Sequence, residues 1–93
     1  MIYDKIKELR EKANISQSEL ARNLGVTRSS VNAWEMGIST PTTQYVVEMA
    51  QLFRVSTDYI LGVTNKHTIS LDGLSEEEMH IIYSMLDYFN KKK

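Results

Sequence analysis

A chain of 93 residues, 42% of them hydrophobic, can bury one modest core but not two. It holds no cysteine, which excludes a disulfide framework and a thiolate metal site, and no apolar run approaches the ~18 residues of a membrane helix. Eleven Lys and Arg against twelve Asp and Glu give a net charge of -1 and a pI of about 6.1, so the bulk charge of the chain does not attract a polyanion.

In chain order, Ile2, Ile6, Leu9 and Ala13 recur at i, i+4, i+7 and i+11, which predicts an amphipathic helix with one stripe on the core rather than a signal peptide. Ser16 followed by Glu19 is a capping box that starts a second helix at about Gln17, with Leu20, Ala21 and Leu24 on its inner face. Gly25 follows the last apolar position, where a left-handed residue ends a helix without a side-chain clash. Thr27 then caps a third helix. Its Val31 and Trp34 point inward, Arg28, Ser29, Asn32 and Ala33 are left outward, and Gly37 closes it. The small Ala21 beneath the turn lets the second and third helices cross closely.

Thr40 as N-cap with Pro41 at the first helical position predicts a fourth helix whose Val46, Val47, Ala50 and Phe53 face inward. Ser56 opens a short fifth helix, with Tyr59, Ile60 and Leu61 packing and Gly62 stopping it. The expected fold class is all-α, with residues 1–62 forming a compact five-helix domain. Residues 63–74 lack helical period and read as a linker, with a short extended piece at 68–71. Ser75 and Glu78 form a second capping box for a helix over 75–93. On that helix Met79, Ile81, Ile82, Tyr83, Met85, Leu86, Tyr88 and Phe89 span an arc of roughly 220°, against the roughly 100° that a surface helix buries. A small domain cannot hide that much surface by one contact. One side is expected to dock on the chain's own domain and the other on a second subunit, through Ile81, Ile82, Met85, Leu86, Tyr88 and Phe89.

Three blocks occur in fixed order: Gln17 with Glu19, Leu20 and Ala21; Trp34 with Glu35 and Gly37; and Val55, Ser56 and Asp58 with Tyr59, Leu61 and Gly62. Together they resemble the Cro and phage-repressor class of helix-turn-helix regulators, the xenobiotic-response-element family, over about residues 2–62. Met36 and Ile38 stand where that family more often has polar residues. The resemblance implies a phage-repressor-like DNA-binding domain with helix 3, about residues 28–36, in the major groove. On this reading Gln17, Thr27, Arg28, Ser29, Asn32, Ala33, Ser39, Thr40 and Thr43 contact DNA. Residues 1–62 balance seven basic against seven acidic residues, so contacts to phosphate fall to neutral Gln, Ser, Thr and Asn side chains and to helix N-termini, and the salt dependence of binding should be shallow.

Each assignment has a plainer rival. Arg10 and Glu35 flank core stripes and read as a structural ion pair between helices 1 and 3 rather than as loose surface charges. Trp34 reads as core rather than a stacking platform. His67 and His80 have no ligand cluster, and Glu76 beside His80 is exposed surface rather than a metal site. The lysines 91–93 are a solvated tail that favours the helix dipole. A cofactor and a metal are not expected. Nor is an enzyme, since there is no Gly-rich phosphate loop, no metal spacing and no nucleophile set beside a histidine. The expected function is that of a cytoplasmic homodimeric regulator of transcription, a repressor, binding double-stranded DNA at an inverted-repeat operator, with no membrane contact and with room for a regulatory protein partner. The alternative is a protein-interaction or antitoxin-like module whose C-terminal helix docks on a different protein.

Overall fold

The structure, a computed structural model, describes residues 1–66 and 68–91; His67, Lys92 and Lys93 lie outside it, and with them the readings of His67 and of the last two lysines. The described residues form six helices and no strand: α1 Ile2–Lys12, α2 Gln17–Leu24, α3 Arg28–Glu35, α4 Thr43–Phe53, α5 Thr57–Leu61 and α6 Glu76–Lys91.

Local chemistry sets most of the boundaries. The Ser16 hydroxyl accepts the Glu19 N–H at 3.0 Å while the Glu19 carboxylate accepts the Ser16 N–H at 3.1 Å, so the capping box of α2 is complete. Gly25 ends α2 in the left-handed region at φ 72°. Thr27 accepts from the Ser30 N–H at 3.1 Å to start α3, and Ser56 accepts from the Tyr59 N–H at 3.0 Å to start α5. Past α3 the Ile38 N–H reaches back to the Ala33 carbonyl at 2.9 Å around Gly37, whose φ of 73° permits the turn.

The core lies where α1 to α5 converge. Ile6, Leu20, Val31, Met49 and Ile60 are fully enclosed, with Leu9, Ala21, Leu24, Trp34, Val46, Ala50 and Tyr59 around them. Five expectations are corrected. Helix α4 begins at Thr43 with Thr42 at its N-cap, not at Thr40 and Pro41. Thr42 takes the extended N-cap conformation at φ -68° and ψ 164°, and the Pro41 ring is buried in the approach to the helix. The inward face of α4 is Val46, Met49, Ala50 and Phe53, so Val47 lies one step off it and is 39% exposed. Ala13 and Leu61 are exposed. Helix α1 ends at Lys12, with Ala13 still right-handed at the C-cap and Asn14 turning left-handed at φ 57°. Residues 68–71 form no strand. Arg54 holds them as a strap instead: its carbonyl accepts the Ser70 N–H at 2.9 Å, and its Nη1 donates to the Ser70 carbonyl at 3.2 Å and the Asp72 carbonyl at 2.8 Å.

The capping box of α6 is formed, with Ser75 and Glu78 exchanging hydrogen bonds of 2.9 and 3.1 Å. No residue of α6 is buried. Met79 and Ile82 are half-buried and the rest of the apolar arc is exposed. The expected burial of one side of this helix by its own domain is therefore limited to the half-burial of Met79 and Ile82.

Candidate nucleic-acid interface

Helices α2 and α3 pack closely across the Gly25 turn because Ala21 and Val31 are buried between them. This puts the inner side of α3 into the core. Trp34 is 6% exposed, and its ring lies 5.6 Å from that of Tyr45, so it is a core residue with no face open to a base. The opposite side of α3 presents Arg28, Ser29 and Asn32 as exposed residues and Ala33 partly; Thr27, Ser39, Thr40 and Thr43 are exposed around it. Met36 and Ile38, 66% and 75% exposed, give the loop after α3 an apolar surface.

Beneath this face runs a chain of polar contacts. Arg10 on α1 grips Glu35 on α3 with both arms of its guanidinium: Nε to Oε2 at 2.6 Å and Nη2 to Oε1 at 3.0 Å, with Nη1 donating to the Ile15 carbonyl at 3.0 Å. The two side chains are only 13% and 4% exposed. Gln17, half-buried at the start of α2, donates from Nε2 to Glu35 Oε1 at 3.1 Å and to Asn32 Oδ1 at 3.2 Å. Burial would raise the Glu35 carboxyl. The hydrogen bonds from Arg10 and Gln17, with the charges of Arg10 and Lys7, outweigh that and hold it below its ordinary value. The Glu35 hydrogen bond in turn raises Arg10 above its ordinary value, against the opposing effect of burial.

The Gln17 contacts carry a chemical consequence. Both amide hydrogens are committed within the protein, so the side chain has only its acceptor oxygen left to offer outward. An acceptor does not bind a phosphate oxygen, so any phosphate contact at this position falls to backbone N–H groups at the start of α2. Asn32, by contrast, receives at Oδ1 and keeps both hydrogens of its Nδ2 to donate. Sequence reasoning did not find this coupling of Gln17, Asn32 and Glu35, since only the crossing of two helices brings those positions together. No group of three or more His, Asp or Glu residues that could hold a metal occurs among the described residues, and His80 is exposed.

Residues 6–60 match the family described as Helix-turn-helix. Among curated relatives, the HTH-type transcriptional regulator ImmR of Bacillus subtilis is 34% identical over 58 residues, which cover 62% of this chain and 46% of ImmR. The HTH-type transcriptional regulator SinR of the same organism is 32% identical over 79 residues, covering 84% of this chain and 69% of SinR. A crystal structure of SinR, the master regulator for biofilm formation, in complex with DNA superposes with a TM-score of 0.61 at 32% identity, covering 66% of this chain and 98% of that one. The chain spans about half the length of several relatives, ImmR among them. The relatives reported are named as regulators of transcription and not as enzymes. With more than half its length matched, the capped α2–α3 pair in place and the core closed around it, the chain belongs to the helix-turn-helix family of Cro and phage-repressor type.

Proposed function

We propose that this chain is a sequence-specific double-stranded DNA-binding regulator of transcription, a repressor, which acts as a homodimer in the cytoplasm and lays α3 in the major groove of an inverted-repeat operator. The observation that carries this reading is the two-sidedness of α3. Its inner side is locked by Val31, Trp34 and Glu35, and its outer side offers Arg28, Ser29 and Asn32 without obstruction. Arg28 near the N-terminus of α3 can reach a guanine edge with two hydrogen bonds. Asn32, with its Nδ2 hydrogens uncommitted, can donate to a base acceptor or a phosphate, and the methyl of Ala33 can pack on a thymine methyl. Thr27, Ser39, Thr40 and Thr43 supply neutral donors to the flanking phosphates, joined by the backbone N–H of Gln17. Ile81, Ile82, Met85, Leu86, Tyr88 and Phe89 of α6 join the subunits. Among the described residues no helix is long and apolar enough to cross a membrane.

Two recognition helices in one dimer meet successive major grooves roughly 34 Å apart. Selection of bound duplexes from a random pool should therefore enrich an inverted repeat whose half-site centres lie about one helical turn of DNA apart. Enrichment of a lone, asymmetric site would remove the dimeric reading, and no enrichment over random sequence would remove specific recognition altogether.

A further inference from the structure

Between α5 and α6 the chain returns across the end of α4, and one residue there holds it. Arg54 is the C-cap of α4 and lies in the left-handed region at φ 57° and ψ 38°, a conformation that glycine takes freely and an arginine only under strain. Its Nη1 donates to the Ser70 carbonyl at 3.2 Å and the Asp72 carbonyl at 2.8 Å, while its own carbonyl accepts the Ser70 N–H at 2.9 Å. The bonding then continues in short steps into α6. The Asp72 N–H donates to Ser70 Oγ at 3.3 Å, the Leu74 N–H to the Leu71 carbonyl at 3.3 Å and the Ser75 N–H to Glu78 Oε1 at 2.9 Å. The Glu78 carboxyl is held below its ordinary value first by its hydrogen bonds with Ser75 and then by the charge of Arg54, which sets that charge near the first turn of α6.

Packing adds little to this fastening. Thr68, Ile69, Ser70 and Asp72 are exposed, Ile69 to 70%, and only Leu71 among residues 68–72 is half-buried. Cavities of about 420 and 370 Å³ open on the two sides of Arg54, the first beside Ile69 and the second beside Ser70 and Asp72. A segment held by side-chain contact leaves few voids of that size. The strap is therefore fastened by hydrogen bonds to one residue, and loss of that side chain releases it. With the strap fastened, residues 73–75 alone separate it from the start of α6 at Glu76. Released, the connection between α5 and α6 has a reach of roughly 20 Å, against about 3.4 Å per base pair of DNA. A dimer with both straps fastened matches one separation of half-sites, whereas a released one accepts many.

We propose that Arg54 is a positioning residue for operator recognition: by latching residues 70–72 to the end of α4 it fixes where α6 leaves the DNA-binding domain, and so sets the half-site spacing that a dimer accepts. The latch stands on the protomer alone, whereas the spacing role rests on the dimeric reading proposed above.

In the full chain, Arg54→Gly removes the latch and relieves the backbone, so the folded core should persist, read by the fluorescence of buried Trp34. Arg54→Asn, which also tolerates a left-handed backbone, should match it. In amide exchange followed by NMR, Ser70 and Leu74 should exchange roughly tenfold or more faster in both variants, while Val31, bonded to the Thr27 carbonyl, changes by less than about threefold. Unchanged exchange at Ser70 overturns the latch. For spacing, the duplex selected from the random pool is compared by fluorescence anisotropy with one lengthened by two base pairs at its centre, which shifts one half-site by about 7 Å and rotates it by about 70°. Wild type should lose roughly tenfold or more in affinity, and the variants roughly threefold or less. Equal losses overturn the spacing role. A wild type that binds both duplexes alike refutes the dimeric reading, and the spacing role with it, while the latch stands or falls on the exchange of Ser70.

Discussion

Arg10 and Glu35 carry opposite charges 13% and 4% exposed, and each has a secondary partner that survives loss of the other. Removing one member of a buried pair strands a charge and is destabilising by about 3–5 kcal/mol, whereas replacing both by apolar groups is near neutral. The remaining contacts pull the single changes toward the low end. In Arg10→Met, Glu35 still accepts from Gln17; in Glu35→Leu, Arg10 still donates to the Ile15 carbonyl. Each single change should then cost about 2–3 kcal/mol and the double about 1–2 kcal/mol, for a coupling of roughly 3 kcal/mol. Since 1 kcal/mol shifts the Tm of a domain this size by about 4–8 °C, urea and thermal melts at pH 7 resolve the cycle. A pH series adds a second reading. Without Arg10, burial dominates at Glu35 and its pKa rises, so Arg10→Met should lose its deficit relative to wild type as the pH falls and the stranded carboxyl takes a proton. Strict additivity of the two changes would refute the reasoning, as would a deficit in Arg10→Met that stays constant with pH.

Arg28→Ala should weaken binding to the selected site by about 1–3 kcal/mol and relax preference at one base pair; equal losses on selected and random duplexes, measured by fluorescence anisotropy, would take this residue out of base readout. Wild-type stability should be level above the ordinary carboxyl value of 4.5 and fall as the pH drops through the depressed value of Glu35, with Glu19 and Glu78 adding the same sign through their capping bonds. Glu35→Gln should flatten that acid limb, and an unchanged limb would place the dependence elsewhere. Gly37→Ala combines a left-handed backbone at φ 73° with a methyl 3.5 Å from the Tyr3 ring, whereas Gly25→Ala meets nothing within 4 Å at φ 72°. Both should lose about 1–2 kcal/mol to backbone strain, and by similar amounts in thermal melts, since 3.5 Å is ordinary van der Waals contact; a much larger loss for Gly37→Ala would show that the added methyl displaces Tyr3.

Helix boundaries set by a few adjacent residues were legible in the sequence. The Ser16–Glu19 box, the Gly25 and Gly62 stops and the Thr27 and Ser56 caps each satisfy backbone groups within one turn, so composition and spacing suffice to place them. Misreadings arose where two local rules competed. Thr40 with Pro41 and Thr42 with Thr43 both offer an extended N-cap before a first helical residue, and in the folded chain the helix starts at the second, with the Pro41 ring buried ahead of it. Likewise Val46 and Val47 are equally apolar, and the direction from which the core approaches α4 chose between them. The link from Gln17 to Asn32 and Glu35 spans 15 and 18 residues, and that from Arg10 to Glu35 spans 25. No periodicity encodes such pairings, because they depend on the angle and offset at which packed helices cross. The same division holds at α6. Its 3.6-residue repeat determines how wide an apolar arc it carries, but a repeat has no information about what lies opposite, and only the tertiary structure shows that the protomer half-buries Met79 and Ile82 and leaves the rest of the arc exposed.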